Sequence, residues 1–370
     1  MTKQIAVYGG GIVAMLTALS LAQKGYAPSL WRAPKNHQHV GAKRVFALNH
    51  ASMVVLDKLG IPKPMSAAIQ KMYVWDSLSG ASITLQAADQ QKTALAYIVD
   101  ENSLWQEIYQ FLVKTSIPLY EHAAGEIPIC SQHQWQLQQG PSASFLCIAD
   151  GAQSIVREAL NVRCDRDDYQ QLGIVAEVIC DKPHQGVAYQ VFTPHGPLAF
   201  LPLPTPNHYS MVWSLDAHVA QQHLQLSADD FLQQLNVTMG GQPGVCLELS
   251  ARHAFPLKML HTQAYVGKNW LLLGDSAHHF HPLAGLGLNA GIADITTLCQ
   301  FNDPFTQANL SRFQRERRAK ISLLILGMKA LKQGFANTNK CWVGLRGLGM
   351  DIINHERWLK KCMMSMVDEV

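Results

Sequence analysis

The stretch that most constrains this chain runs from Asn269 to Asp294. Trp270 to Leu273 is a short apolar run closed by Gly274, the pattern of a buried strand. Asp275 stands at its carboxyl end, where open α/β sheets place their ligand crevice. The chain then turns through Pro282, Gly285 and Gly287 into an apolar helical pattern from Leu288 to Leu298. Glycines at a helix start let backbone approach a ligand closely, and free N–H groups there favour anionic atoms. A carboxylate beside such a helix start suits a ligand that carries both a polyol and an electron-rich ring.

The amino terminus makes a second, weaker statement of the same kind. Gln4 to Tyr8 reads as a strand, and Gly9-Gly10-Gly11-Ile12-Val13-Ala14 opens a helix ending near Gly25. That is G-x-G-x-x-A at a strand–helix junction, where a dinucleotide pyrophosphate meets the helix start. The next strand, Ser29 to Arg32, ends without the acidic residue expected for ribose hydroxyls. Arg32 there fits either a 2′-phosphate, hence NADP, or, with Trp31, packing against an adenosine. A third buried strand, Phe145 to Ala149, ends in Asp150-Gly151, followed by Ser154 and Arg157, and Asp150 is a plausible helix N-cap.

These three motifs, in this order, resemble those of the ubiquinone-biosynthesis FAD-dependent hydroxylases. That family belongs to the group A flavoprotein aromatic monooxygenases, with a fold like that of p-hydroxybenzoate hydroxylase. The narrowest match is His281-Pro282-Leu283-Ala284-Gly285-Leu286-Gly287-Leu288-Asn289-Ala290-Gly291 through Asp294. The resemblance implies a cofactor site from Gly9, Gly11, Ile12, Val13, Ala14, Arg32, Arg44, Asp150, Gly151, Asp275, Leu288 and Asn289. It implies a flavin edge at Pro282, Gly285, Leu286 and Gly287, with Leu286 where the family usually has Gln. It implies a substrate sheet near Phe200, Pro202 and Trp213, with Val191 where the family commonly has Arg. An ordinary strand–turn–helix for the opening stretch, and a surface Arg of no function at Arg44, remain the plain alternatives.

The implied fold is α/β: a Rossmann-like FAD-binding domain, a second mixed or antiparallel β-sheet substrate domain, and C-terminal helices. FAD-domain segments are expected at 1–70, 96–165 and 255–330, substrate-domain strands at 71–95 and 166–254, and a helical tail at 331–370. Met72 to Leu85 alternates loosely as two strands, and Phe255 is expected to restore the FAD-domain pattern. Leu172 to Ile179, Val187 to Thr193, Leu198 to Leu203 and Tyr209 to Leu215 have no helix between them, so that sheet should be antiparallel. The helix from Asn309 to Lys332 carries Arg312, Arg315, Arg317, Arg318 and Lys320, read as a solvated face. The helix-spaced apolar tail from Cys341 to Met366 is expected to pack on the FAD domain, with membrane contact as the alternative.

Composition narrows the rest. A net charge of +3 with no long basic run gives no sign of nucleic-acid binding. Eight cysteines without a Cys-x-x-Cys pair suit a reducing cytoplasm, and no leader pattern precedes the first strand. His278, His279 and His281 lack metal-ligand spacing and companions, so no metal is expected. The resemblance implies NADH or NADPH as donor, dioxygen as co-substrate and a hydrophobic aromatic substrate, hydroxylated through a flavin hydroperoxide. It further implies a polyprenyl phenol of ubiquinone synthesis, a quinone-biosynthesis protein complex, and a cytoplasmic protein peripheral to the inner membrane. An FAD hydroxylase of a small soluble phenol, and a non-catalytic member of such a complex, are the competing readings.

Overall fold

The computed structural model describes residues 3–34, 44–138, 140–280 and 285–368. The chain opens with β1 (Gln4–Tyr8), α1 (Ile12–Gln23) and β2 (Ala27–Arg32). β3 (Val45–Asn49), α2 (His50–Lys58), β4 (Ser66–Ile69), β5 (Lys71–Asp76), β6 (Ser82–Gln86), β7 (Ala96–Asp100), α3 (Glu101–Leu112) and β8 (Leu119–Glu121) follow. Three short strands, β9 (Ile129–Ser131), β10 (Gln134–Gln136) and β11 (Ser142–Ala143), precede β12 (Phe145–Ile148) and α4 (Ile155–Ala159). Then come β13 (Cys164–Cys180), β14 (Val187–Thr193), β15 (Gly196–Pro202), β16 (His208–Asp216), α5 (Ala217–Gln225), α6 (Ala228–Met239), β17 (Cys246–Leu249) and β18 (His253–Thr262). The chain ends through β19 (Trp270–Leu272), β20 (His278–His279), α7 (Leu286–Cys299), α8 (Gln307–Ala336), α9 (Lys340–His355) and α10 (Arg357–Asp368).

Two main sheets organise these elements. The first is parallel throughout, in the order β19-β12-β1-β2-β8. Its strands are continuous apolar runs because helices bury both faces. α1 is correspondingly apolar all round, with Ile12, Ala14, Met15, Leu16 and Leu19 buried. The second sheet runs β20-β18-β13-β16-β15-β14-β5-β6, with β17 beside β13. All of its pairs are antiparallel except β14 with β5. A third sheet, β3-β7-β4, has its own apolar cluster around Ala67, Ile69 and Ile98.

Three expectations need correction. Phe255 does not restore the first sheet: it lies in β18, paired with Gly173 of β13, and the parallel sheet resumes only at Trp270. The tail does not pack on the parallel sheet. α9 lies on the hairpin β5–β6, where Arg346 pairs with Asp76 and the Thr84 amide donates to Asn354. The long helix α8 is not solvated along its basic stretch, because Arg317 is fully buried while Arg312 and Arg315 are exposed.

Candidate active site

The loops at the carboxyl ends of β1, β12 and β19 converge on one hollow. Gly9 sits at φ +138°, and a Cβ there would lie 2.2 Å from the Ala149 carbonyl oxygen, so the turn after β1 requires glycine. Gly11 caps α1 with no side-chain partner, and nothing lies within 4 Å of where its Cβ would be. The first turn of α1 therefore presents free N–H groups to open space. The turn is braced from below by the Trp105 indole, which donates to the Gly10 carbonyl at 2.8 Å.

Asp150 and Asp275 face the same hollow. Asp150 does not cap α4; Ser154 does, accepting the Arg157 amide at 3.0 Å. Both carboxylate oxygens of Asp150 are instead buried without a well-aligned hydrogen-bond partner, and burial pushes its pKa up against the opposing pull of Ser154, the Val156 amide and Arg157. A buried unpaired carboxylate is costly unless something donates to it. Asp275 accepts from Nδ1 of His279 at 2.9 Å, a hydrogen bond that raises the His279 pKa against the opposing effect of burial.

Behind these loops lies a fully buried ionic cluster. Asp294 accepts from Arg317 Nε at 2.6 Å, from His278 Nε2 at 2.8 Å and from the Gly274 amide at 2.8 Å. Burial alone raises its pKa, but His278 and Arg317 outweigh this and hold it at about 2. Arg317 also donates to the Ala290 carbonyl at 3.0 Å. Asp294 thus fixes the residue preceding Asp275 to both α7 and α8. Arg157, also buried, ties the loop after β12 to the loop after β19 by donating to the Ser276 and Ala152 carbonyls at 3.0 and 2.9 Å.

The hollow has a volume of about 540 Å³, bounded by Gly10 to Val13, Arg44, Glu101, Asp150, Gly151, Asp275, His279, Gly287 and Leu288. Residues of the large sheet, among them Val175, Ser210, Val212 and Leu257, close its far side. A second cavity of about 180 Å³ adjoins it, with Ile69, Met72, Leu85, Leu95, Ala199 and Met364 in its wall. Ala47, Leu201, Val212 and Gly285 line both.

A hollow at the ends of parallel strands, with a helix start and two carboxylates in its wall, fits a dinucleotide with ribose or ribityl hydroxyls. Sequence comparison names it: residues 2–301 match the FAD binding domain family. This chain belongs to that family. It is similar to the ubiquinone biosynthesis monooxygenase COQ6 of Drosophila melanogaster, 28% identical over 97% of this chain and 88% of the relative. It is similar to the 3-demethoxyubiquinol 3-hydroxylase of Escherichia coli K12, 28% identical over 94% of this chain and 93% of that protein. The fold matches p-nitrophenol 4-monooxygenase of Pseudomonas putida, with TM-score 0.79 and 16% identity over 99% of this chain and 98% of that one. It also matches Klebsiella pneumoniae HpxO complexed with FAD and uric acid, with TM-score 0.75 and 15% identity over 99% and 96% of the two chains. FAD is therefore the cofactor, and the orphaned Asp150 carboxylate fits its hydroxyls.

Several residues read from the sequence as facing the ligand do not. Trp31 is wholly buried, and Arg32 is occupied by Glu121 at 2.6 Å and by the Tyr109 ring, 4.7 Å from its centroid. Neither is free for adenosine or a 2′-phosphate. Gly9 and Ala14 shape the turn and the helix packing without lining the hollow. Arg44 is in the wall, mostly exposed and 3.5 Å from Glu101. The Asn289 side chain turns inward, donating to Ala47 and accepting from Asn49 and Ser52. Leu286 is buried with Phe280, Met259, Ile321 and Met328, away from both cavities. Pro282 lies outside the described residues.

The substrate-sheet residues were read on the wrong face. Phe200 and Trp213 are buried in the core under α5 and α6 with Val191, and neither they nor Pro202 line either of these two cavities. The opposite parity does: Ala199 and Leu201 on β15, and Ser210, Val212 and Ser214 on β16. These face each other as Ala199 with Val212 and Leu201 with Ser210. β16 carried the signal, since large Tyr209, Met211, Trp213 and Leu215 alternate with smaller Ser210, Val212 and Ser214. The large set fills a core and the small set leaves room. Asp294 closes the motif quoted from the sequence, but its ion pair is not legible there, and Arg317 and Trp105 carry no comparable signal, because what defines them is a partner distant in the chain.

Proposed function

We propose that this chain is an FAD-dependent NAD(P)H aromatic monooxygenase that hydroxylates a polyprenyl phenol of ubiquinone synthesis. The observation that carries this is the adjoining pair of cavities, one at the dinucleotide loops with charged and polar groups in its wall and one almost wholly apolar, sharing a wall at Ala47, Leu201, Val212 and Gly285. Bound FAD supplies electron transfer from NAD(P)H and activation of dioxygen. The chain's residues do the rest. The start of α1 binds the pyrophosphate through backbone N–H groups. Asp150 and Asp275 accept from hydroxyls. The start of α7, at Gly287 and Leu288, lines the hollow and would offer its N–H groups and dipole to negative charge on a bound flavin. The apolar cavity excludes water and orients the phenol, with Gln90, Gln190 and Ser214 as polar residues within its wall.

The two named relatives act on ubiquinone-pathway compounds by their names, and an apolar cavity suits such a substrate better than a charged phenol. We assign the flavin to segments 1–70 and 96–165 with the stretch from Trp270, and the phenol to the sheet of 71–95 and 166–254. A lipid-borne substrate implies contact with a membrane surface and with other proteins of the pathway; no described helix is long and apolar enough to cross a membrane.

The test is the visible spectrum of the purified protein together with NAD(P)H oxidation. Flavin absorbance and oxidation stimulated by a prenylated phenol are expected. Protein that stays colourless after reconstitution with FAD contradicts the proposal. Stimulation by small soluble phenols alone favours the competing substrate class.

A further inference from the structure

The last two helices are held very differently. α9 is bolted to the large sheet. Arg346 donates to the Asp76 carboxylate at 2.8 and 3.0 Å, both side chains being buried, and its guanidinium lies over Phe335. Gly347 packs so closely that a Cβ would lie 3.1 Å from that of Ser79. The opposite face of α9 carries Trp342, Leu345, Leu348 and Ile352, 43%, 61%, 63% and 56% exposed. Their spacing places all four on one side of the helix.

The helix then breaks at Glu356, with φ −89° and ψ 102°, and α10 begins at Arg357. α10 has little hold on the molecule. Among its described side chains only Met364 is buried, and Met363 and Met364 form part of the apolar cavity wall. Few buried apolar contacts put such an element at the low end of local stability. Trp358 is 62% exposed and stands among Arg357, Lys360 and Lys361.

We propose that α9 and α10 dock on an anionic phospholipid surface and that α10, swinging about Glu356, uncovers the apolar cavity to a substrate dissolved in the lipid. The regulatory half of this rests on the function proposed above; the docking half does not. Exposed tryptophan and aliphatic side chains beside basic ones suit a helix lying in an interface. The cavity is lined by Met363 and Met364 of the same helix that carries Trp358, so a helix docked on lipid through Trp358 brings the cavity wall to the lipid surface. A soluble protein partner is the rival occupant, and the three clustered basic residues beside Trp358 favour lipid.

The full chain is sedimented with phosphatidylcholine vesicles, with and without phosphatidylglycerol, as wild type and as Leu345→Ser/Leu348→Ser and Trp358→Ser. All three side chains are exposed, so unchanged melting and flavin absorbance should accompany the variants. Wild type should partition about tenfold or more in favour of anionic vesicles, with salt reducing it, and both variants should lose most of that binding. A long-chain phenol carried in anionic vesicles should turn over faster than in neutral ones for wild type only. A soluble short-chain phenol should be oxidised equally by all three. Equal binding of wild type and variants, or none to either vesicle, overturns the docking proposal. Binding without any gain in turnover of the vesicle-borne phenol overturns the gate. Loss of soluble-phenol oxidation in wild type would instead sink the enzymatic reading, while vesicle binding still decides the docking.

Discussion

The two ends of the hollow are built on opposite plans. At the polar end the loops after β12 and β19 are held by buried charges, Asp294 to Gly274, His278 and Arg317, and Arg157 to Ser276 and Ala152, while the Trp105 indole braces the loop after β1. At the apolar end the wall is made of side chains without fixed polar partners, and one side of it is α10, with a single described side chain buried. The polar end is thus preorganised for one unchanging cofactor, whose charges and hydroxyls must meet fixed donors and acceptors. The apolar end needs only shape and dryness, and it must open for each turnover. Rigidity lies where binding is permanent, and looseness where the ligand exchanges.

The sharpest way to break this contrast is to unpair the buried cluster. Arg317→Met leaves the Asp294 carboxylate buried with one cation fewer, a change worth about 3–5 kcal/mol of stability. Melting temperature should fall and flavin content with it; an unchanged melt and full flavin content would show that the cluster does not brace the Asp275 loop. Next in size is a pair on adjacent positions of β15. Phe200→Ala should cost about 3–5 kcal/mol by opening a void in the core under α5 and α6, with flavin content preserved. Leu201→Ala removes a cavity wall, so it should cost less stability and instead raise KM for the phenol. Similar kinetic effects from both would contradict the facing assigned to β15.

Smaller is Leu286→Gln. It buries an amide among Phe280, Met259 and Ile321, at about 1–3 kcal/mol, without touching either cavity. Differential scanning calorimetry should register the loss while substrate preference stays as in wild type. A switch in preferred phenol would place the side chain at the flavin after all. Gly287→Val sharpens the point from the other side, because nothing lies within 4 Å of a Cβ there and the hollow is what it fills. Flavin content should drop with little change in the melt of the flavin-free protein.

The smallest effect is in acid. Asp294 is held at about 2 by His278 and Arg317 against the cost of burial. A carboxyl lowered in this way contributes stability above its unfolded value, about 3.9, and loses it as pH falls through the folded one. Stability of the wild type should therefore carry a component that declines between these values, and Asp294→Asn should lack it. Parallel acid profiles would show that the pair does not act through its charge.

How much of this was legible in the sequence follows the same divide. The motif loops could be read because backbone chemistry fixes their residue types: Gly9 must be glycine beside Ala149, and Gly285, at φ +63° against Ala47, must be too. The strand–helix order and the antiparallel character of the second sheet followed from periodicity and turns. What was misread depended on which face a residue presents or on a distant partner. Phe200 and Leu201 are neighbours on opposite faces, and a resemblance to a substrate sheet does not say which face meets the cavity. Arg317 looked like its exposed neighbours because nothing local announces Asp294. Trp31 stands at the strand end where an acidic residue is expected, and that position does not reveal that its side chain points into the protein.

The central claim is that oxygen activated at the polar end reaches a ring held at the apolar end. The direct measurement is mass spectrometry of the product formed from a prenylated phenol, NAD(P)H and isotopically labelled dioxygen. One labelled oxygen atom on the ring, in step with the NAD(P)H consumed, is the predicted result. NAD(P)H consumed with peroxide formed and the phenol recovered unlabelled would contradict it.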